Sequence, residues 1–134
     1  MEITLKLSIY GEKFMNVGLR ADIAYIVARM VSNQDKSAIY DFSRSKHIMI
    51  SGEVSLNNIN IYDHDRMCHI TGSKSGDTFS LYDFGLSSHI NLSVKNSSFD
   101  GYDFNTSSHF NGSFTGNVIN LYDFETSNFY QFNL

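Results

Sequence analysis

The most regular feature of the sequence is a four-residue unit, in which Tyr-Asp follows an aliphatic residue or glycine and precedes Phe or His. Its tyrosines are Tyr40, Tyr62, Tyr82, Tyr102 and Tyr122, and the first interval between them is slightly longer than the other three, which are equal. A second unit, His-Ile in most copies, follows each tyrosine at a fixed distance. A period of about 20 residues is typical of solenoids and arrays, so the sequence predicts a repeat protein.

Each repeat contains runs in which hydrophobic and polar residues alternate. In the third copy, Ile90, Leu92 and Val94 alternate with polar residues, as in a β-strand with one buried face. At Leu81-Tyr82 two hydrophobic residues are adjacent, and this break in the alternation predicts a bend or bulge. Beyond that bend we expect the tyrosines to face inward and the aspartates to face outward.

Three short strands and three corners in each repeat predict a mainly β fold. The predicted architecture is a β-solenoid of about five coils, one for each repeat, which stack by parallel pairing roughly 4.8 Å apart. A meander of β-hairpins has the same period and is the alternative. We disfavour the meander because the corners lack Asn-Gly or Asp-Gly turns at a regular place.

Residues 1-36 differ from the repeats and are predicted to form an N-terminal cap on the solenoid of residues 37-134, within one structural domain. Alternating residues from Ile3 to Ile9 predict a strand. Hydrophobic residues at helical spacing then predict an amphipathic helix from near Val17 to near Ser32, with Asn16 as its N-cap. Because a solenoid needs its open end covered, the cap is expected to lie over the first coil. Binding of this helix to a partner is the alternative.

The composition indicates one globular domain outside the secretory pathway. The chain has 134 residues, of which 42% are hydrophobic, enough for one narrow core. Cys68 is the only cysteine, so no internal disulfide can form and an oxidising compartment is not implied. No hydrophobic stretch has the length of a signal peptide core or a membrane span. The predicted localisation is cytoplasmic, with no membrane partner.

The net charge of −4 comes from the second half of the chain. Eight acidic and eight basic residues precede Cys68, whereas residues 68–134 contain six acidic residues and two lysines. Nucleic acid is disfavoured as a partner, because phosphate binding requires clustered Lys and Arg. The repeated aspartates are expected to form an outward column in which neighbours repel by about 0.9 kcal/mol at 4.8 Å in water. Binding of each carboxylate to backbone N–H groups at its own corner would offset that repulsion; a bound cation or a basic partner is the alternative.

These features predict a non-catalytic, protein-binding solenoid without a cofactor, of the small acidic inhibitor or immunity type, that recognises a basic protein through complementary charge. The predicted binding residues are acidic side chains of the second half and polar side chains of one strand face. They are Asp83, Asp103, Asp123, Glu125, His89, Asn91, Ser93, His109, Asn111 and Ser113.

Two other functions remain open. A carbohydrate-binding module would use the flat His, Asn and Ser face with tyrosines at its edges. A metal-dependent enzyme would be centred on the second repeat, where Asp63, His64, Cys68 and His69 lie close together in sequence.

The C-terminal run is predicted to mediate homodimerisation. It occupies the first strand of a sixth coil and then stops, which would leave an uncovered strand edge. A tail-to-tail homodimer with twofold symmetry would cover that edge. Its predicted interface residues are Phe129, Tyr130, Phe132 and Leu134.

Overall fold

The computed structural model describes residues 15–134, which form one helix and ten strands. The helix, α1, spans Val17–Ser32 and precedes all the strands. The strands are β1 (Ala38–Asp41), β2 (Lys46–Val54), β3 (Asn58–Asp63), β4 (Cys68–Ser75), β5 (Thr78–Asp83), β6 (Ser88–Lys95), β7 (Ser98–Asp103), β8 (Ser108–Thr115), β9 (Val118–Asp123) and β10 (Asn128–Asn133).

The ten strands form a closed antiparallel barrel. Each strand pairs with the next one in the chain, and β10 pairs with β1 to close the circle. The parallel pairing expected of a β-solenoid is therefore wrong, and the alternative, a meander of hairpins, describes the fold. Each repeat contributes two antiparallel strands and the turns at their ends, so the prediction of three strands and three corners per repeat is wrong.

Tight turns join the two strands of each hairpin at one end of the barrel, here called the hairpin rim. Three of them begin with Gly76, Asn96 and Gly116, whose φ angles are 63°, 57° and 65°. Positive φ at the first turn position alone is the type II′ pattern, whose twist matches that of antiparallel strands. These turns occupy the same position in successive repeats. A search restricted to Asn-Gly and Asp-Gly overlooks this regular hairpin signal.

Four-residue turns connect the strands at the opposite end, here called the Asp rim. In the third repeat the Oδ1 atom of Asp83 accepts hydrogen bonds from the N–H groups of Gly85 (2.8 Å) and Leu86 (3.1 Å). The aspartates of the other repeats likewise accept N–H bonds from their own turns. The prediction that each carboxylate binds backbone N–H groups at its own corner is confirmed.

The alternation of inward and outward side chains continues through the Tyr-Asp unit without a bend. In β5, Leu81 and Asp83 face inward and are buried, whereas Tyr82 faces outward and is partly exposed. The prediction of an outward acidic column is therefore wrong, because all five repeat aspartates are at most 1% exposed. Burial is tolerated because each carboxylate accepts hydrogen bonds from its own turn, which replace those lost from water.

Helix α1 lies in the lumen of the barrel. Its bounds and its N-cap agree with the prediction, since Asn16 Oδ1 accepts bonds from the N–H groups of Gly18 (2.9 Å) and Leu19 (3.1 Å). Its position as an amphipathic cap is wrong, because every residue from Gly18 to Ala28 is buried and the helix contacts β1, β2, β8, β9 and β10. Ten strands leave a wider interior than side chains alone would fill, so a helix can occupy it. The predicted strand from Ile3 to Ile9 lies outside the described residues.

The C-terminal strand lies between two neighbouring strands of the closed sheet. It pairs with β9 along its length and with β1 through Tyr40–Asn133 and Asp41–Phe132. Phe132 is 1% exposed and belongs to the core, and Leu134 packs against that core. Of the four predicted dimer residues only Phe129 is largely exposed, at 64%. The edge on which the homodimer prediction rests is therefore partly covered by β1, and the homodimer itself stays a prediction.

Candidate functional site

The second repeat departs from the others because Arg66 enters the barrel and binds the helix. Its Nη1 atom lies 2.8 Å from Asp22 of α1, and its Nη2 atom lies 2.8 Å from Asp83 Oδ2 in the wall. Gly18 makes room for this side chain, because a Cβ atom there would lie 2.3 Å from Arg66 Cδ. The unusual residue of this turn therefore attaches the helix to the wall.

The other repeat aspartates have different partners inside the barrel. Asp123 forms a buried ion pair with Arg20 of α1 at 3.0 Å, and the Arg20 guanidinium also lies 3.8 Å from the centre of the Tyr130 ring. Asp103 has no cationic partner among residues 15–134, and it accepts bonds from Asn105 N–H and from the Thr106 hydroxyl. Burial raises the pKa of Asp103 above its ordinary value.

Asp22 and Asp63 form a buried pair of carboxyl groups. Asp22 Oδ1 and Asp63 Oδ2 have no other hydrogen-bond partner among the described residues. Burial, reinforced by the adjacent Asp63 carboxyl, raises the pKa of Asp22 well above its ordinary value. A protonated Asp22 can donate a hydrogen bond to Asp63, which satisfies both oxygens and removes the repulsion between two charges.

The predicted acidic binding surface is not formed. Asp83, Asp103 and Asp123 are 0% exposed and hold turns and the helix in place, so they cannot contact a partner at the surface. Glu125, in the turn after β9, is exposed. The inward and outward alternation of each strand places every repeat aspartate on the inner face.

The predicted metal centre of the second repeat is divided between two faces of the wall. Asp63 is buried, and Cys68 lies on the inner side near Asp83. His64 and His69 face outward, where His64 Nε2 lies 2.9 Å from Ser51 Oγ. Residues 15–134 contain no group of three or more His, Cys, Asp and Glu side chains that could hold a metal ion.

The outer wall carries an aromatic cluster in every repeat, in which each tyrosine contacts the aromatic residue two positions later and the aromatic residue opposite on the next strand. For Tyr102 these are Phe104 and His109, each at a centroid distance of 4.8 Å with an edge-to-face arrangement. The clusters around Tyr40, Tyr62, Tyr82 and Tyr122 have similar geometry. Contacts of this kind stabilise neighbouring strands by about 0.5–1.5 kcal/mol each.

A groove of about 400 Å³, here called groove A, crosses the outer face of β6, β7 and β8. Two rows of paired residues form its floor. Asp100 lies opposite Ser93 and Asn111, and Tyr102 lies opposite Asn91 and His109. Its lining is Thr78, Asn91, Ser93, Asp100, Gly101, Tyr102, His109, Phe110, Asn111 and Phe124.

Groove A contains four of the residues that the sequence predicted for binding, namely Asn91, Ser93, His109 and Asn111. His89 and Ser113 lie on the same outer face but outside this groove. The predicted binding residues did not include Asp100, Tyr102 or Phe124, although the carbohydrate alternative placed tyrosines at the edges of this face. Strict alternation continued from Phe99 and Gly101 to Asp103 would have placed Asp100 and Tyr102 on the outer face, because the side-chain period of a strand is two.

The chemistry of groove A is polar and nearly uncharged. The Asn91 and Asn111 amides both donate and accept hydrogen bonds, whereas the Asp100 carboxylate only accepts them. The Tyr102 ring and the half-exposed Phe124 ring add flat hydrophobic surface. A larger cavity of about 760 Å³ adjoins the groove and shares Ser93, Asp100 and Asn111 with it, and Lys74, Lys95 and Asp77 add charges of both signs there.

No protein-family model, curated protein or solved structure matches this chain. Within residues 15–134, helix α1 lacks the length and hydrophobicity needed to cross a membrane.

Proposed function

We propose that this chain is a non-catalytic binding protein that recognises a carbohydrate on the outer wall of its barrel. The observation that carries the proposal is groove A, in which hydrogen-bonding side chains, all uncharged except Asp100, and aromatic rings line one concave surface. Such a lining combines orienting polar groups with hydrophobic contact area, as binding sites for small molecules generally do.

The lining of groove A complements the surface of a sugar ring. Hydroxyl groups both donate and accept hydrogen bonds, so they match the amides of Asn91 and Asn111 and the ring nitrogens of His109. The Asp100 carboxylate accepts bonds from hydroxyl donors, and bonds to a charged acceptor are about twice as strong as neutral ones. The C–H face of a sugar can pack on the rings of Tyr102 and Phe124.

The distribution of surface charge favours a carbohydrate over the basic protein partner that the sequence predicted. Half of the six acidic residues from Cys68 onward are buried, which leaves Asp77, Asp100 and Glu125 against two lysines. Steering of a basic partner requires a strong electrostatic field of one sign. Three exposed acidic residues beside two lysines do not produce such a field. An acidic inhibitor function therefore remains a prediction with less support.

A printed glycan array probed with the labelled full-length chain tests the proposal. We expect a set of related glycans to bind, and we expect Asn91→Ala to weaken that binding because the substitution removes an amide from the floor of groove A. Asn60→Ala is the matched control, because Asn60 is an exposed outer-face residue of β3 that lies outside the groove.

The proposal fails if no glycan binds, or if Asn91→Ala and Asn60→Ala bind equally well. Recovery of a basic protein by chemical crosslinking from a native extract, together with an empty array, would instead favour the inhibitor function.

A further inference from the structure

Groove A has a counterpart one repeat earlier in the chain. A groove of about 330 Å³, here called groove B, lies over β5 and β6 and is lined by Ser80, Ser87, Ser88, His89, Asn91 and Phe104. Asp100, His109, Asn111 and Phe124 of groove A each lie one full repeat after a lining residue of groove B. At three of these four matched positions the two grooves carry the same residue type, and at the fourth Ser80 of groove B replaces Asp100. Other lining residues, such as Tyr102 of groove A and Ser87 of groove B, have no counterpart in the other groove.

The two grooves adjoin and share a residue. Asn91 lines both of them, at the edge of groove A that faces groove B. Equivalent residues of the two grooves are two strands apart, roughly 10 Å along the sheet at the usual strand spacing. That spacing is close to the length of two linked sugar rings, so one chain of sugars can span both grooves.

We propose that grooves A and B are two subsites for one oligosaccharide of neutral sugars, an inference that rests on the proposed function. Because matched positions of the two grooves carry the same residue types, both grooves are expected to bind the same kind of sugar. The ligand must then have a repeating unit. The lining of groove B contains no charged residue, so the shared specificity is for an uncharged sugar.

The barrel also constrains the shape of this ligand. Two strands of a ten-stranded closed barrel span a fifth of its circumference, so the two grooves face different directions. A ligand that occupies both must bend between them. Oligosaccharides with curved or flexible linkages, such as α-1,4- or α-1,6-linked glucose, meet this requirement, whereas straight β-1,4-linked glucose does not.

Affinity measured against chain length tests the inference. The probes are the malto- and isomalto-oligosaccharides from two to six sugars, with the cello-oligosaccharides as straight controls of the same sugar. We expect the hexamer of at least one curved series to bind about tenfold or more tightly than its dimer, because the second contact becomes intramolecular. Backbone amide NMR signals should shift near both Tyr102 and His89, and cellohexaose should show no such gain over cellobiose.

Two matched variants assign the gain to the two grooves. Phe104→Ala removes a ring that lines groove B alone, and Phe124→Ala removes its counterpart in groove A. Both rings are about half exposed, at 51% and 49%, so the barrel should fold in both variants. Each variant should bind the hexamer only as tightly as the wild type binds the dimer.

The outcomes separate this inference from the proposed function. A hexamer that binds no more tightly than its dimer, or shifts confined to the Tyr102 region, would overturn the inference and leave a single-groove carbohydrate function standing. An equal gain for cellohexaose would overturn the requirement for a bent chain. Absence of binding by all three series would also overturn the inference, and the glycan array then decides the proposed function independently.

Discussion

The inner and outer walls of the barrel carry the same sequence repeat, yet only the outer wall behaves as a repeat. On the outer wall each tyrosine forms nearly the same cluster, with centroid distances of 4.8–4.9 Å around both Tyr82 and Tyr102. On the inner wall the equivalent aspartates differ. Asp123 pairs with Arg20, Asp83 pairs with Arg66, and Asp103 has no cationic partner among the described residues.

The difference arises because the two walls face different surroundings. The outer wall faces solvent, which is the same for every repeat, so identical residues adopt identical arrangements. The inner wall faces helix α1, whose side chains change from one turn to the next, so each repeat meets a different neighbour. Repetition of sequence therefore becomes repetition of sites outside the barrel, and a set of unequal anchors inside it.

The largest expected effect comes from breaking the most connected inner anchor. Arg66→Met leaves Asp22 and Asp83 without their cation in the lumen, and removal of one partner from a buried pair costs about 3–5 kcal/mol. We expect the urea midpoint at pH 7 to fall accordingly, with an unchanged m-value. Lys46→Met is the control, since Lys46 and its partner Asp65 both lie at the surface. Equal stability of Arg66→Met and the wild type would show that the anchor is unimportant.

Two identical substitutions at equivalent positions compare the inner anchors directly. Asp123→Asn leaves buried Arg20 without its anion and should lower the free energy of unfolding by about 3 kcal/mol. Asp103→Asn removes a buried charge that has no cationic partner within residues 15–134, and the amide oxygen can still accept the Asn105 N–H, so stability at pH 7 should be unchanged or higher. Urea denaturation of both variants measures the difference. A loss of equal size in the two would mean that the helix does not distinguish the repeats.

The pH dependence of stability sharpens the same comparison. Because burial raises the pKa of Asp103 in the folded state, the folded chain binds more protons than the unfolded chain from near the ordinary value of 3.8 up to the raised pKa. Stability from this group is thus present below that window and is lost as pH rises through the folded pKa. Asp22 acts in the same direction. The stability of Asp103→Asn minus that of the wild type, measured by urea denaturation between pH 4 and 7, should therefore increase with pH, and a constant difference would contradict the assignment.

The smallest expected effect concerns the outer wall. Phe84→Ala and Phe104→Ala each remove a ring that is about half exposed, at 57% and 51%, and that contacts one tyrosine edge-on. Each should lower the free energy of unfolding by about 0.5–1 kcal/mol, by the same amount within error. Thermal unfolding of the two variants side by side tests this equality. A difference above about 1 kcal/mol would show that the outer clusters are not equivalent.

Much of the local structure could be predicted from the sequence, because it depends on residues close together in the chain. The helix from Val17 to Ser32 and its Asn16 cap follow from helical spacing and capping chemistry. The capping of each four-residue turn by its aspartate follows from the same local chemistry. Part of the candidate site was also predicted, since Asn91 and Asn111 lie on the outer face where the alternation placed them.

The sequence by itself determined the repeat period, the β character of the repeats and the helix, whereas the tertiary structure decided how many strands each repeat forms, which strands pair and which face is enclosed. Alternation has the same period of two in parallel coils and in antiparallel hairpins, so it cannot distinguish them. Some inward aspartates also gained partners distant in sequence, such as Arg20, which lies 103 residues from Asp123. The helix is enclosed only because β10 pairs with β1, and that closure joins the two ends of the repeat array.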